Sequence, residues 1–201
     1  NKSIKDTLIT FSYTNFNLNY VDTRSKKILN SIDLSGVVRF YGIISNDLQW
    51  YGSTITYNNF VLLNLERFQK DKEKFTFDAG NVITYIAFSD NSKMFAVGTK
   101  GNIIKIYYID DFSETIKLKY TITYPSEFPT GSISFIKFID NDSKIVSSSN
   151  SISKFLVWDI EYEEIIHTPV LPVEISPKQD FPSIKHITYR ARFNDYFTID
   201  S

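Results

Sequence analysis

His167 and His186 are the only two histidines in a chain of 201 residues, and they lie nineteen positions apart on different predicted strands. A histidine metal site needs ligands that converge, as an H-x-x-x-H pair does on one helix face. Neither that spacing nor H-E-x-x-H occurs, and the chain has no cysteine. Disulfides, Cys-based zinc sites and thiol catalysis are thereby excluded, and both histidines read as strand-lining or surface residues. No cofactor is expected. None of the seven glycines forms a G-x-S-x-G elbow, a G-x-G-x-x-G turn or a phosphate loop. Gly98-Thr99-Lys100-Gly101 reads as a hairpin turn with Lys100 at its tip, and no helix start follows it to hold a phosphate.

The remaining candidates for chemistry are charged. Asp110, Asp111, Glu161, Glu163 and Glu164 cluster just after predicted strands. A hydrolase needs two carboxylates of unequal pKa facing one pocket, whereas these fall where solvated turns are expected. Lys70-Asp71-Lys72-Glu73-Lys74 alternates in sign and reads as a solvent-facing hairpin. Lys185, Arg190 and Arg192 interleave with Tyr189 and Phe193, a pattern able to stack bases and neutralise phosphates on a single-stranded nucleic acid. The simpler reading is a strand with one wet side.

The totals agree with a non-catalytic globular chain. Hydrophobic residues make up 42% and aromatics 16%, enough for a packed core. The 22 basic and 23 acidic residues leave a formal net charge of −1, so the whole surface has no electrostatic bias toward nucleic acid. No apolar run approaches the roughly 18 residues of a membrane span, and NKSIKDTLITFSY lacks the layout of a signal peptide. No membrane insertion is expected, and an intracellular location is, with nucleus and cytoplasm undistinguished. The missing initiator Met is expected of an excerpt, a processed product or a portion of a longer polypeptide.

The elements are strands. In GNVITYIAFSDNSKMFAVGTKGNIIKIYYID (80–110) an apolar, β-prone run is followed by the turn Ser89-Asp90-Asn91-Ser92. Met94–Val97, the turn Thr99–Asn102 and Ile103–Tyr108 come next. Apolar residues on both faces of the runs predict strands covered on two sides. Residues 132–160 repeat this order, and weaker copies occupy 37–65 and 7–22. Val21, Leu63, Tyr107 and Trp158 stand at equivalent third-strand corners, separated by 42, 44 and 51 residues. A fourth short strand follows each corner. Four strands per unit with a period in the low forties is the spacing of propeller blades.

IAFSDNSKMFAVGTKGNIIKIY and IKFIDNDSKIVSSS with LVWDI resemble the core motif of the WD40-repeat family, and the resemblance covers nearly the whole chain. It implies an all-β, WD40-like β-propeller, here a partial ring of four-stranded antiparallel blades. The blade pieces run approximately 1–34, 35–78, 79–124, 125–168 and 184–201, with a loop insert at 169–183. Only the corner at Trp158-Asp159 keeps the family's Trp-Asp, and Gly80-Asn81 stands where Gly-His is frequent. The family's buried His–Ser–Trp–Asp network is therefore expected to be absent, with apolar packing between blades in its place. Four to five blades are fewer than the usual seven, so the ring is expected to be completed by residues outside this chain or by a partner subunit.

The resemblance also implies a function: a scaffold that presents its loops and blade edges to other protein subunits of a multiprotein complex. Two proline-rich inserts, TYPSEFPTG and HTPVLPVEISPKQDFPS, join one unit's last strand to the next unit's first. Proline lowers the ordering cost of binding, and aromatics there can anchor a partner. The expected contact residues are Tyr124, Phe128 and Phe181, all taken as exposed, with Lys100 and Asn150 from neighbouring turns. An RNA-associated propeller using Lys185, Arg190 and Arg192 is the alternative, and a propeller hydrolase comes last. The F-R-R-G sequence of lipid-binding propellers is absent, which leaves phosphoinositide binding without support.

Overall fold

The computed structural model describes residues 7–12, 14–37, 42–110, 115–152 and 154–167. Nearly all regular structure is antiparallel β, and the chain divides into two compact units, Asn1–Val82 and Ile83–Ser201. His186, Phe181, Lys185, Arg190 and Arg192 lie outside the described residues, as does the predicted blade piece 184–201.

The first unit holds two sheets. β1 (Thr7–Ser12), β2 (Asn17–Asp22) and β3 (Ile28–Asp33) form a three-stranded meander. β4 (Gly42–Ile44), β5 (Trp50–Thr54), β6 (Asn59–Asn64) and β7 (Phe75–Asp78) form a four-stranded one. Alternation along β6 sends Val61 and Leu63 into a core with Leu18, Ile32, Leu34 and Tyr51, while Phe60 and Leu62 are fully buried on the other face. Phe11 stacks on Tyr51 with ring centroids 6.3 Å apart, and Phe60 on Phe77 at 5.1 Å.

Between β6 and β7 the structure corrects the expected hairpin at 70–74. Leu65–Asp71 is a short helix, α1. Asn64 caps it by accepting from the Arg67 amide at 3.2 Å, and Lys72 ends it in the left-handed region at φ 58°. Leu65 and Phe68, three apart and both buried, dock it on the core. The alternating charges are solvent-facing as expected, but they sit on the end of a helix and the link after it.

The second unit contains two complete four-stranded meanders. β8 (Ile83–Phe88), β9 (Met94–Thr99), β10 (Ile103–Asp110) and β11 (Thr115–Thr123) pair in chain order. So do β12 (Ile133–Ile139), β13 (Lys144–Ser149), β14 (Phe155–Asp159) and β15 (Glu164–His167). The sheets approach each other where β12 lies against β8 and β9. Between them is a core of Ala96, Ile104, Ile106 and Ile122 from one side and Ile136, Phe138, Ile145, Leu156 and Trp158 from the other. β9 is buried on both faces, as its sequence predicts.

Irregularities in strand pairing fall at positions that the sequence marks as equivalent. Register shifts separate third from fourth strands at Tyr20/Val21, Ile106/Tyr107 and Val157/Trp158, three of the four expected corners. Leu29, Lys119 and Ile166 are the extra residues opposite them. At the fourth corner, pairing of β6 with β7 stops at Leu62 and α1 occupies the corresponding place. A second shift recurs between first and second strands, at Ile83/Tyr85 and Ile133/Phe135. The residues skipped there, Thr84 and Ser134, carry hydroxyls that bond across the gap: Thr84 Oγ1 donates to the Ile133 carbonyl at 2.7 Å, and Ser134 Oγ lies 2.9 Å from Ser148 Oγ.

Candidate docking surface

Three connections of the second unit meet at one end of its two sheets: the β9–β10 turn, the β11–β12 link at 124–132 and the β13–β14 turn. Gly101 and Asn102 both take positive φ, 83° and 59°, which reverses the chain tightly and aims the Gly101 amide at the link. That amide donates to the Gly131 carbonyl at 2.8 Å, and Lys100 forms an isolated bridge with Ser132. Asn102 Nδ2 donates to the Pro129 carbonyl at 2.7 Å, and the Asn102 carbonyl accepts from the Tyr124 amide at 3.1 Å. From the other turn, Asn150 accepts from the Ser132 amide through Oδ1 at 2.8 Å and donates its own amide to the Ser132 carbonyl at 3.0 Å. Ser149 Oγ donates to Asn102 Oδ1 at 2.7 Å, and Ser151 Oγ to the Pro129 carbonyl at 2.7 Å.

The link is thus held from both sides. A side chain at Gly131 would place its first carbon 2.6 Å from Ser149 Oγ and closer still to Ser151 Oγ, so any larger residue forces both serines to shift. Within the link, the Phe128 amide donates to the Pro125 carbonyl at 3.0 Å, closing a turn. Ser126, Glu127, Pro129 and Thr130 remain exposed.

The expected anchors divide. Lys100 and Asn150 are exposed and are brought to the same cluster as Phe128, which is half-buried with its inner edge against the core. Tyr124 is corrected: it is 5% exposed, packed against Trp158 at 5.1 Å and edge-on to Phe128 at 6.2 Å. Its hydroxyl lies 2.8 Å from Ser147 Oγ, which also accepts from Trp158 Nε1 at 2.8 Å. Burial pushes the phenol up to about 12, with the Ser147 bond partly offsetting the rise.

The expectation of purely apolar packing is corrected by the same contacts. A Tyr–Ser–Trp chain of buried hydrogen bonds spans the β11–β12 link, β13 and β14. The partners that sequence reasoning missed are Asn102, Gly131, Ser147, Ser149 and Ser151. Ser147-Ser148-Ser149-Asn150-Ser151 was the available signal, because alternate small hydroxyls on a buried strand need partners.

The opposite end of the sheets has a latch of its own. Asp142, buried, accepts the Asp90 amide at 2.8 Å and the Asn91 amide at 2.9 Å through its two carboxylate oxygens. Asp140, Asn141 and Asp142 all take positive φ, between 53° and 66°, to make that reach. Glu161, Glu163 and Glu164 are exposed in and beside the β14–β15 turn.

In the first unit a cleft of about 240 Å³ is lined by Tyr20, Asn30, Gln49, Glu66 and Gln69 among others. Asn30 and Gln69 exchange amide bonds at 3.2 and 3.4 Å across it, and burial raises the Tyr20 phenol. Its polar lining is mostly side-chain amides, with the Glu66 carboxylate and the Tyr20 phenol beside them. Among the described residues no cluster of three His, Cys, Asp or Glu side chains is arranged to hold a metal, and no helix is long and apolar enough to cross a membrane. No protein-family model matches the chain, and no curated protein matches its sequence.

Proposed function

We propose that this chain is part of a divergent WD40-like β-propeller that serves as a non-catalytic docking scaffold in a multiprotein complex. Its contact surface is the loop cluster of Lys100, Glu127, Phe128 and Asn150. The observation that carries the reading is the set of hydrogen bonds fixing the 124–132 link between two neighbouring turns. A loop ordered before binding loses little conformational entropy when a partner seats on it, so its exposed groups contribute affinity at low cost. Four meanders in chain order, with bulges at equivalent corners, support the blade reading. In that reading further strands complete the ring, supplied by other parts of the polypeptide or by a partner subunit.

Affinity capture of the full-length protein tests the proposal. Lys100→Glu combined with Glu127→Arg changes the surface while leaving the core intact. The pair is expected to cut recovery of at least one co-purifying polypeptide by about tenfold. Unchanged recovery would remove this cluster as the contact. The RNA-associated alternative has its residues, Lys185, Arg190 and Arg192, outside the described portion. Ribonuclease-sensitive, salt-labile retention of RNA by the same preparation would favour it.

A further inference from the structure

We infer that the outer edge of β11 is a second docking site, which receives an extended acidic segment of another protein as an added strand. β11 is the longest strand among the described residues, nine residues from Thr115 to Thr123, and among them it stands at the end of its sheet. The fourth strands β7 and β15 have only four residues each. Short edges, bulges and edge lysines all limit unwanted pairing, the lysines by rejecting apolar and cationic strands, while a long edge still leaves a row of backbone donors and acceptors to an acidic one. Lys117, Leu118 and Lys119 are consecutive and exposed, Leu118 by 50%.

The lysines are placed by the fold. Lys119 is the extra residue of the bulge opposite Ile106/Tyr107. Its ammonium lies over two rings, 5.4 Å from the centre of Tyr108 and 5.1 Å from that of Tyr120. That holds the charge at the edge with few rotamers left to lose. Lys117 pairs directly across from Tyr108.

This arrangement selects among occupants. A second copy of β11 would set these lysines beside their own kind, which is repulsive. A nucleic acid offers phosphates to the lysines but cannot satisfy the edge carbonyls. One face of each tyrosine already carries the Lys119 ammonium and Tyr120 is packed against the core, so at most one face of Tyr108 is left for a base, where single-strand binding stacks successive bases on several rings. An extended peptide meets both requirements: its backbone pairs with the edge on either side of the bulge, and Glu or Asp side chains meet Lys117 and Lys119. The inference does not depend on the propeller reading or on the loop cluster.

The test uses the whole 201-residue chain and a fluorescent decapeptide of alternating Glu and Val. Saturable binding is expected, weakened about tenfold or more by Lys117→Glu/Lys119→Glu. The same loss is expected when alternate peptide nitrogens are methylated, which removes the backbone donors. Lys70→Glu, on α1, should bind as the parent does, and thermal melting confirms that each variant is folded. Four outcomes would each overturn the assignment: no binding at millimolar peptide, equal binding of a Lys/Val peptide, undiminished binding by the charge-reversed pair, or preference for oligothymidylate.

Discussion

Ser147 shows how much a single buried hydroxyl can organise. Tyr124 and Trp158 come from different segments, and their polar atoms meet only at Ser147 Oγ. Ser147→Ala would leave the Trp158 N–H without its acceptor and the Tyr124 hydroxyl without this partner, a loss of about 2–3 kcal/mol in urea unfolding. Trp158→Phe and Tyr124→Phe should each cost about 1 kcal/mol or more, and the double variant should cost less than the sum, because the two bonds share one oxygen.

Tyr124 also gives the unit an alkaline dependence. Its phenol titrates near 12 when folded, against about 10 when unfolded. The unfolded chain therefore loses this proton first as pH rises. The contribution is fully present below pH 10 and falls away as pH climbs toward 12. Unfolding measured between pH 9 and 12 should show a decline in stability that is shallower in Tyr124→Phe. Equal slopes for the two proteins would mean that the phenol is not held as described.

Elements were read from sequence where the signal was local. The strands of residues 83–160 announce themselves by apolar runs on two faces, cut by Asp-Asn-Ser and Gly-Asn turns, and each such turn closes a hairpin in the structure. The helix α1 was missed because Lys-Asp-Lys-Glu-Lys suggests a charged hairpin. Its determinants are the Asn64 cap and the Leu65/Phe68 spacing one turn earlier. Asn64→Ala should cost about 1 kcal/mol, read as a lower urea midpoint at unchanged slope.

The bulges were not legible, since a skipped residue is defined only by the register of a neighbouring strand. Burial of Tyr124 was not legible for a related reason. A proline-rich link suggests exposure, and only the facing turns that bond Pro129 and Ser132 pull it onto the core. Gly131→Ala should loosen that attachment: amide exchange at 124–132 and 149–152 should quicken by tenfold or more, while β8 and β9 keep their protection.

At the scale of the molecule, antiparallel meanders of three or four strands are used with different fastenings. The first unit inserts a helix at its corner and packs aromatic rings. The second adds hydroxyl and carboxylate bonds at both ends of its sheets. Rigid repeated sheets leave their connections free to vary, and binding residues concentrate on connections held by a stiff frame. Of the carboxylates considered for catalysis, Glu161, Glu163 and Glu164 are exposed in and beside the β14–β15 turn, while the loop cluster has order, exposure and mixed polarity together.

Lysine cross-linking of the native full-length protein, followed by peptide mapping, addresses the scaffold reading most directly. Lys100 and Lys154 flank the loop cluster and are exposed. The account predicts cross-links from these two lysines to other polypeptides, with those from Lys154 lost when Lys100→Glu and Glu127→Arg are combined. A protein whose Lys100 and Lys154 cross-link only within its own chain, while partners attach elsewhere, would contradict it.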